Sequence, residues 1–428
     1  MPHQRPDFPA SPASWLVELD GTGVRGSHPG GQRQAGEGGL ARAKSRLRRV
    51  LNARFMRWWL LKQAVTALPW LGRKLAFYPR GIDMMAAADE VLQDHTAPLP
   101  ADLLRPDLAF LERCLVHDSH APGVTLPEGV LAGARTVRIR GAEIDIASGA
   151  VHLPRAGHTV MMRGTVANWN AARPRWRPRR VVLAGTALCP APTANYYHLL
   201  VETGLRLLEL GDLPALAADP PVLLRRPPGS AVEAALYAGL AQLRPEMAQQ
   251  VVAPGTLVQP EAVLCHFPAE TQYEWAAMDR DAAMRLRRLF ETTYGALPPG
   301  GGVRLYLSRA GAKLRAPVNG AELDALLEAH GFETLVASDA NHPDQIARFS
   351  AAEVIVAVHG AGLANLLFAP EGARVIEIFP GNFVKSTYWW MARRLGLQYR
   401  AVIGGPGDYD QRFEAPLADL EVILAAEA

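Results

Sequence analysis

One segment in the C-terminal third restricts the possible fold more than any other. Residues 354–358 read Val-Ile-Val-Ala-Val, and His359-Gly-Ala-Gly362 follows at once. A short, continuous apolar run is typical of a buried strand in a parallel sheet. The glycines allow a sharp turn and a close approach to a ligand. If a helix starts there, its free N–H groups would bind a phosphate group. Glycines that serve only for packing would give the same pattern.

Predicted helices and strands alternate from about residue 195 onward, which indicates parallel, doubly wound sheets. The predicted helices are 195–210, 231–243, 279–294, 320–330, 343–350, 361–368 and 388–395. The predicted strands are 222–224, 261–266, 304–308, 333–336, 353–358, 374–379 and 399–403. The chain has 428 residues, enough for two domains, and residues 298–302 (Pro-Pro-Gly-Gly-Gly) are the best linker. We therefore expect one domain at 81–297 and a second at 303–428.

The N-terminal region differs from the rest in charge. Residues 1–80 hold 14 Lys/Arg against 4 Asp/Glu, whereas the whole chain has a net charge of only +3. Residues 1–40 are rich in Gly and Pro and are predicted to be a disordered tail. Residues 41–80 form a basic arm, in which Trp58, Trp59 and Trp70 lie close to cations. Residues 41–75 therefore suit an anionic membrane surface, unless the tryptophans pack on the protein itself.

A second basic segment occupies residues 173–180, where five arginines are separated by prolines and a tryptophan. The prolines exclude a helix. This loop could bind an anionic acceptor or simply be solvated. No nucleic-acid-binding motif accompanies either basic segment, so nucleic acid is not an expected partner.

Other features limit the class of protein. Three widely spaced cysteines indicate neither a disulfide framework nor a zinc site, which fits a reducing cytosol. No secretory signal and no apolar run long enough for a membrane span is recognised. The two Asp-x-Asp triplets, at 279–281 and 408–410, do not follow apolar strands, and we interpret them as surface features.

The predicted helix 195–210 places polar side chains on one face. Asn195, His198, Glu202 and Arg206 are spaced by three or four residues. His198 and Glu202 could act as a general base and its orienting partner. An ordinary polar stripe with a Glu202–Arg206 pair is the alternative.

Cations follow the strand that ends at Ser308. Arg309 comes directly after it, and Arg315 follows within one short loop. The carboxyl ends of strands in an α/β sheet form the ligand side, and Arg suits phosphate oxygens, although a surface basic loop would look the same. Glu377 lies within the apolar strand 375–379, where it could accept from ribose hydroxyls or form a core pair with an Arg.

These segments, in this order, resemble glycosyltransferase family 61. That family includes eukaryotic O-linked N-acetylglucosaminyl- and xylosyltransferases and bacterial proteins of capsular polysaccharide biosynthesis. The resemblance covers about residues 190–403. It rests on Asn195-Tyr-Tyr-His198, Tyr306-Leu-Ser-Arg309 with Arg315 and Asn319, His359-Gly-Ala-Gly-Leu363, Val375-Ile-Glu-Ile-Phe379 and Tyr388-Trp389.

The resemblance implies a GT-B-like α/β fold, with two Rossmann-like doubly wound domains facing a cleft. It implies inverting, metal-independent transfer, without a cofactor, from a nucleotide-sugar, expected to be a UDP-sugar, to a glycan or lipid-linked acceptor in surface polysaccharide biosynthesis. His198 or Glu202 would be catalytic, and Asn195 and Arg206 would lie on the acceptor side. The donor-binding residues would be Ser308, Arg309, Arg315, His359, Gly360, Ala361, Gly362, Asn365 and Glu377.

Such an enzyme would be cytoplasmic and peripheral to the inner membrane. The alternative from a different class is a non-catalytic nucleotide- or carbohydrate-binding protein with a degenerate transferase fold.

Overall fold

The fold is taken from a computed structural model. It describes residues 60–78, 80–98, 114, 130–161, 176–191, 193, 195–211, 213–267, 280–298, 300–338 and 341–426. The predicted tail 1–40 and residues 41–59 of the predicted arm lie outside these ranges. Residues 62–428 form one compact unit, and all that follows concerns this unit.

The first sheet has ten strands and is mixed, in contrast to the doubly wound parallel sheet predicted for this half. Its strands are β1 (Arg80–Asp83), β2 (Glu90–Pro98), β3 (Val130–Arg140), β4 (Glu143–Asp145), β5 (Ala150–Leu153), β6 (His158–Met161), β7 (Arg179–Leu188), β8 (Val222–Arg225), β9 (Gln249–Val251) and β10 (Thr256–Phe267). Strands β10, β7, β8 and β9 run parallel to one another in that order. Strands β3 and β4 pair with β10 in antiparallel register, and β2 and β5 continue the antiparallel part. Strands β3 and β4 follow one another along the same edge of β10, whereas a short turn joins β4 to β5, a connection that only antiparallel strands allow.

Helices accompany the parallel part of this sheet. They are α1 (Pro69–Leu75), which precedes it, a π-helix (His198–Leu205) that continues as α2 (Arg206–Gly211), α3 (Pro214–Ala217), α4 (Ala231–Leu243) and α5 (Arg280–Tyr294). The predicted helix 195–210 is therefore present, but its middle is wound as a π-helix. Wide helical turns of this kind occur often at functional sites.

The second sheet is fully parallel, as predicted. Its strands are β11 (Val303–Ser308), β12 (Glu333–Val336), β13 (Ala352–Val358), β14 (Arg374–Phe379) and β15 (Gln398–Ile403), in the spatial order β12-β11-β13-β14-β15. Between and after them lie α6 (Gly320–Ala329), α7 (His342–Ala351), a 3₁₀-helix (Ala361–Phe368), α8 (Thr387–Leu395) and α9 (Leu417–Ala426). The strand order reverses between β11 and β13, and ligands of open α/β sheets bind outside the carboxyl ends of the strands at such a point.

Both faces of the second sheet are buried, which explains its near-continuous apolar strands. Leu305, Ile355 and Ala357 face a core shared with α7, α8 and the helices of the first sheet. Tyr306, Val354 and Val356 face the opposite core, which α6 and α9 cover. Successive side chains of a strand point to opposite faces, so neither set tolerates a shift in register.

Candidate functional site

Two arginines meet the backbone at the reversal of strand order. The Arg309 Nη1 donates to the His359 carbonyl oxygen at 3.3 Å, and the Arg315 Nε donates to the same oxygen at 3.0 Å. Arg309 follows β11, and His359 follows β13. The structure thus brings together the two segments that the sequence analysis singled out, at the edge where a ligand is expected.

Neither guanidinium has a carboxylate partner among the described residues. Arg309 also donates to the Leu314 carbonyl oxygen at 2.7 Å, and Arg315 donates to Gln411 Oε1 at 3.1 Å. Burial and the neighbouring Arg315 charge lower the pKa of Arg309 to about 10. Burial also lowers the pKa of Arg315. Two half-buried positive charges with only neutral acceptors form a site that an anion would stabilise.

Gly360 leaves the space that Arg309 fills. A Cβ at this position would lie 1.8 Å from the Arg309 Nη1. The backbone of Gly360 is extended, with φ 174° and ψ 167°, so the conformation itself does not require glycine. The requirement is therefore for room, which agrees with the close approach expected from the sequence. Gly362 is similarly restricted, because its Cβ would lie 2.9 Å from Leu307 Cδ2.

His359 is held by a buried carboxylate. Its Nδ1 lies 2.5 Å from Glu377 Oε1, and the Tyr399 hydroxyl donates to Glu377 Oε2 at 2.5 Å. A carboxylate accepts hydrogen bonds, so it favours the tautomer with a proton on Nδ1 and leaves Nε2 as an acceptor. Burial, opposed by Glu377 and reinforced by the two arginines, lowers the pKa of His359.

Glu377 lies in the core, which is closer to the core-pair alternative than to the ribose-binding role, although its partner is a histidine and not an arginine. Its side chain is fully buried, and each oxygen already accepts a hydrogen bond from the protein. The geometry favours a positioning role, in which Glu377 fixes the orientation of His359. The buried carboxylate that we expected to need a function or a partner thus has a histidine and a tyrosine as partners.

Asn365 also lies deeper than expected for a donor-binding residue. It is fully buried, its Oδ1 accepts from the Tyr196 hydroxyl at 2.5 Å, and its Nδ2 donates to Gln345 Oε1 at 3.1 Å. The Tyr196 oxygen is 2.7 Å from His342 Nε2, and the Tyr294 hydroxyl is 2.9 Å from His342 Nδ1. This network joins the helices that follow β7 and β10 to those of the second sheet.

A cavity of about 370 Å³ lies against this network. Arg226 and Ser230, which follow β8, line one side, and Ser338 and Gln345, which follow β12, line the other; Gly362 also contributes. The cavity thus lies at the carboxyl ends of parallel strands from both sheets, and Gly362 connects its lining to the arginine site. This volume lies within the usual range of small-molecule sites.

The remaining predicted residues are distributed unevenly around this site. Asn195 is exposed and caps the following helix, because its Oδ1 accepts from the Tyr197 N–H at 3.0 Å. His198 is partly exposed. A series of aromatic ring contacts connects it to His359. The His198 and Tyr197 ring centroids are 5.8 Å apart, those of Tyr197 and Tyr388 5.7 Å, and those of Tyr388 and His359 5.5 Å.

Other predicted residues do not join this group. The charge of Arg206 acts on Cys265 and His266 of β10, in the interior of the first half, rather than on the arginine site. Ser308 is buried, and its hydroxyl accepts from the Ala310 N–H at 3.2 Å. Ala361 begins the 3₁₀-helix beside Gly360. The Glu202 side chain lies outside the described part of the structure, so its predicted catalytic role stays a prediction.

The Asp-x-Asp triplet at 408–410 has a structural explanation. Asp408 Oδ1 accepts from the N–H groups of Asp410 and Arg412 at 2.9 and 2.8 Å, which closes a turn. Among the described residues, no three His, Cys, Asp or Glu side chains are grouped as metal ligands would be. In the same ranges, no helix combines the length and apolar composition that a membrane crossing requires.

Sequence reasoning missed several residues of the site. The sequence assigns Tyr196 no role of its own, and it does not single out His342, Gln345 and Gln411. A signal existed for Tyr196, which lies inside the Asn195–His198 motif. His342 and Gln345 carried none, since a histidine and a glutamine on an amphipathic helix are unremarkable until their partners are known.

Comparisons with known proteins agree with this geometry. The sequence profile of the family described as Glycosyltransferase 61 matches residues 196–376, a range that includes Tyr196, both arginines, the glycine turn and part of β14. Residues 196–376 therefore match glycosyltransferase family 61.

Three rice (Oryza sativa subsp. japonica) proteins are similar to parts of the chain. Alpha-1,3-arabinosyltransferase XAT2 is 28% identical over 144 residues, which are 31% of this chain and 24% of that protein. Beta-1,2-xylosyltransferase XAX1 is 36% identical over 134 residues, 30% of this chain and 23% of that protein. Beta-1,2-xylosyltransferase XYXT1 is 42% identical over 64 residues, 15% of this chain and 14% of that protein. The chain thus covers about a quarter or less of the length of these relatives.

Proposed function

We propose that this chain is an inverting glycosyltransferase that takes a sugar from a nucleotide-sugar and does not require a metal. The supporting observation is the pair of half-buried arginines, which have no carboxylate partner among the described residues and converge on the His359 carbonyl beside a glycine turn. The match to family 61 and the arabinosyl- and xylosyltransferase names of the relatives support glycosyl transfer.

In this proposal the diphosphate of the donor binds Arg309, Arg315 and the N–H groups at the start of the 3₁₀-helix. Bidentate hydrogen bonds from Arg suit phosphate oxygens. The two positive charges would stabilise the diphosphate as it leaves with the electron pair of the broken glycosidic bond. They would supply the charge that a metal ion supplies in metal-dependent transferases.

The sugar would occupy the cavity between the two sheets. In an inverting displacement, an acceptor hydroxyl attacks the anomeric carbon from the side opposite the diphosphate, and a base removes its proton. His198 is our candidate for that base, with Glu202 as its partner or substitute. We propose a GT-B-like arrangement with domains at 81–297 and 303–428, a UDP-linked hexose or pentose as donor, and a polysaccharide or lipid-linked glycan of the cell surface as acceptor. A cytoplasmic location is consistent with the three cysteines, none of which forms a disulfide within the described part of the structure.

The first experiment is a thermal-shift and hydrolysis screen against UDP-, GDP- and CMP-sugars, including UDP-xylose and UDP-arabinose, with and without EDTA. We expect one nucleotide class to raise the Tm and to be released slowly whether or not EDTA is present. Arg309→Ala should lose the shift and lower turnover about 10²- to 10³-fold. Arg288→Ala is the matched control, because Arg288 is exposed on α5 and does not line the cavity.

The outcomes separate the alternatives. Stabilisation without turnover against any glycan acceptor would favour the non-catalytic binding protein. Loss of activity in EDTA, restored by a divalent cation, would contradict the metal-independent mechanism. Equal activity of Arg309→Ala and Arg288→Ala would remove the arginine pair from the proposal.

A further inference from the structure

Helix α1 and the residues just before β7 share one exposed surface, although about 100 residues separate them in the sequence. We call it the Trp70–Trp176 surface; it consists of Leu68, Trp70, Arg73, Lys74, Trp176 and Arg177. The Arg177 N–H donates to the Lys74 carbonyl oxygen at 2.8 Å, and the Arg180 Nη2 donates to the Arg73 carbonyl oxygen at 2.7 Å. The Arg180 Nε donates to the buried Glu143 at 3.1 Å, so both segments are fixed to the body of the protein.

The apolar part of this surface is unusually open. Trp176 is 59% exposed, Trp70 is 47% exposed and Leu68 is 45% exposed. The Lys74 ammonium lies 4.9 Å from the centre of the Trp70 ring and 6.0 Å from that of Trp176. About half of the Trp70 surface therefore stays accessible in the folded protein. Exposed apolar side chains that occur together mark interaction sites.

All charged side chains of this surface are positive. Arg73, Lys74 and Arg177 are exposed and have no carboxylate partner among the described residues. The sequence has no acidic residue between Glu37 and Asp83, and none between Asp145 and Glu202. Both segments that build the surface are therefore basic without local compensation, and an anionic partner would be attracted to them.

We infer that the Trp70–Trp176 surface binds the surface of an anionic lipid membrane. Indole rings prefer the headgroup region of a bilayer, where their apolar part is buried and their N–H stays near water. Lys and Arg beside them bind lipid phosphates. A nucleic acid or acidic glycan would satisfy the cations but would leave the exposed Leu68 without an apolar partner. A lipid surface accommodates both the cations and the apolar side chains. Membrane binding by this surface is independent of the proposed transferase activity.

The test is co-sedimentation of the full-length chain with vesicles of phosphatidylcholine alone and with 30% phosphatidylglycerol. We expect binding to the anionic vesicles only, weaker binding at higher salt, and a blue shift of Trp fluorescence. Lys74→Glu and Arg177→Glu should each weaken partitioning about tenfold. Arg288→Glu makes the same change of charge on an exposed side chain elsewhere and should bind as the wild type does.

Trp70→Ala combined with Trp176→Ala should reduce binding to anionic vesicles and remove the part that persists at high salt. Circular dichroism and Tm should be unchanged, because both rings are exposed. Equal binding to neutral vesicles, binding that survives these substitutions, or retention on an acidic polysaccharide or DNA in place of vesicles would each overturn the inference. Binding that survives would assign any membrane contact to residues 1–59.

Discussion

At the scale of single residues, Gly360 connects the glycine turn to the arginine pair. Its backbone is extended, so an alanine could adopt the conformation, but the added Cβ would overlap the Arg309 Nη1. We predict that Gly360→Ala displaces the Arg309 guanidinium from the His359 carbonyl. The expected result is a donor affinity at least about tenfold weaker, because a misplaced guanidinium loses bidentate geometry. Isothermal titration calorimetry with the donor found in the screen measures this affinity.

Gly320→Ala is the matched control for this prediction. Gly320 begins α6, and a Cβ there would meet nothing within 4 Å. Alanine at a compatible position is expected to stabilise the protein by about 0.4–1 kcal/mol and to leave donor affinity unchanged. Unchanged affinity in Gly360→Ala as well would show that Arg309 moves aside without cost, and the role of the glycine would then be packing alone.

Residue types could be read from the sequence more readily than their partners. Arg309, Arg315 and His359 were identified because cations and a glycine turn follow apolar strands. Glu377 was recognised as unusual because a carboxylate in an apolar strand is costly. Its partners, His359 and Tyr399, lie 18 and 22 residues away, and only the register between β14 and its neighbours brings the three together. The positioning role that the geometry favours for Glu377 follows from that register, and its ribose-binding role stays a prediction.

At the scale of elements, a chain of polar side chains joins the two halves of the described structure. The Tyr196 hydroxyl donates to Asn365 and is within hydrogen-bond distance of His342 Nε2. We predict that Tyr196→Phe destabilises the protein by about 1–3 kcal/mol, because it leaves buried polar groups of both partners unsatisfied. Urea unfolding monitored by circular dichroism measures the change.

Tyr409→Phe removes the same hydroxyl from a fully exposed tyrosine, since Tyr409 is 99% exposed. It should leave the free energy of unfolding within about 0.5 kcal/mol of the wild type. A similar value for Tyr196→Phe would mean that water or a rearranged His342 replaces the hydroxyl, and the network would then not hold the elements together.

The elements of the second sheet were easier to predict than those of the first. Strands buried on both faces, such as β13 and β14, give continuous apolar runs that differ from the amphipathic helices between them. In the first sheet, β10 was predicted only as 261–266, but it begins at Thr256. Pro260 and Glu261 interrupt the apolar run, and the register shift between Pro260 and Ala262 accommodates them. The π-helix at His198–Leu205 has no signal in residue spacing, because its apolar face fits an α-helix equally well.

At the scale of the whole molecule, the two sheets direct the carboxyl ends of parallel strands towards a common cavity. Strand β8 supplies Arg226 and the start of α4 to its lining, and β12 supplies Ser338. Parallel strands require crossover connections, so the loops that follow their carboxyl ends all lie at the same edge of the sheet. The position of the site is thus a consequence of the fold, whereas its charge depends on Arg309 and Arg315.

Burial in these two sheets also gives the molecule a defined response to acid. Burial lowers the pKa of His359 in the second half and of His266 in the first, in each case below the ordinary value of 6.5. In the unfolded chain both imidazoles would take up protons near pH 6.5, whereas in the folded protein they would not. The unfolded state then binds more protons, so the free energy of unfolding falls as pH decreases.

We therefore predict that the contribution of these two histidines to the free energy of unfolding is complete above about pH 7.5. It should be lost progressively as the pH falls through 6.5, the pKa of the unfolded chain, towards the lower pKa values of the folded protein. Each histidine can contribute a slope of up to about 1.4 kcal/mol per pH unit. Urea unfolding at pH 8.0, 7.0, 6.0 and 5.5 measures it. His359→Gln should flatten the slope between pH 7 and 5.5, whereas Gly320→Ala should keep the slope of the wild type. A stability that rises on acidification, or a slope unchanged by His359→Gln, would contradict the assignment, because it would require His359 to be protonated in the fold despite its burial beside two arginines.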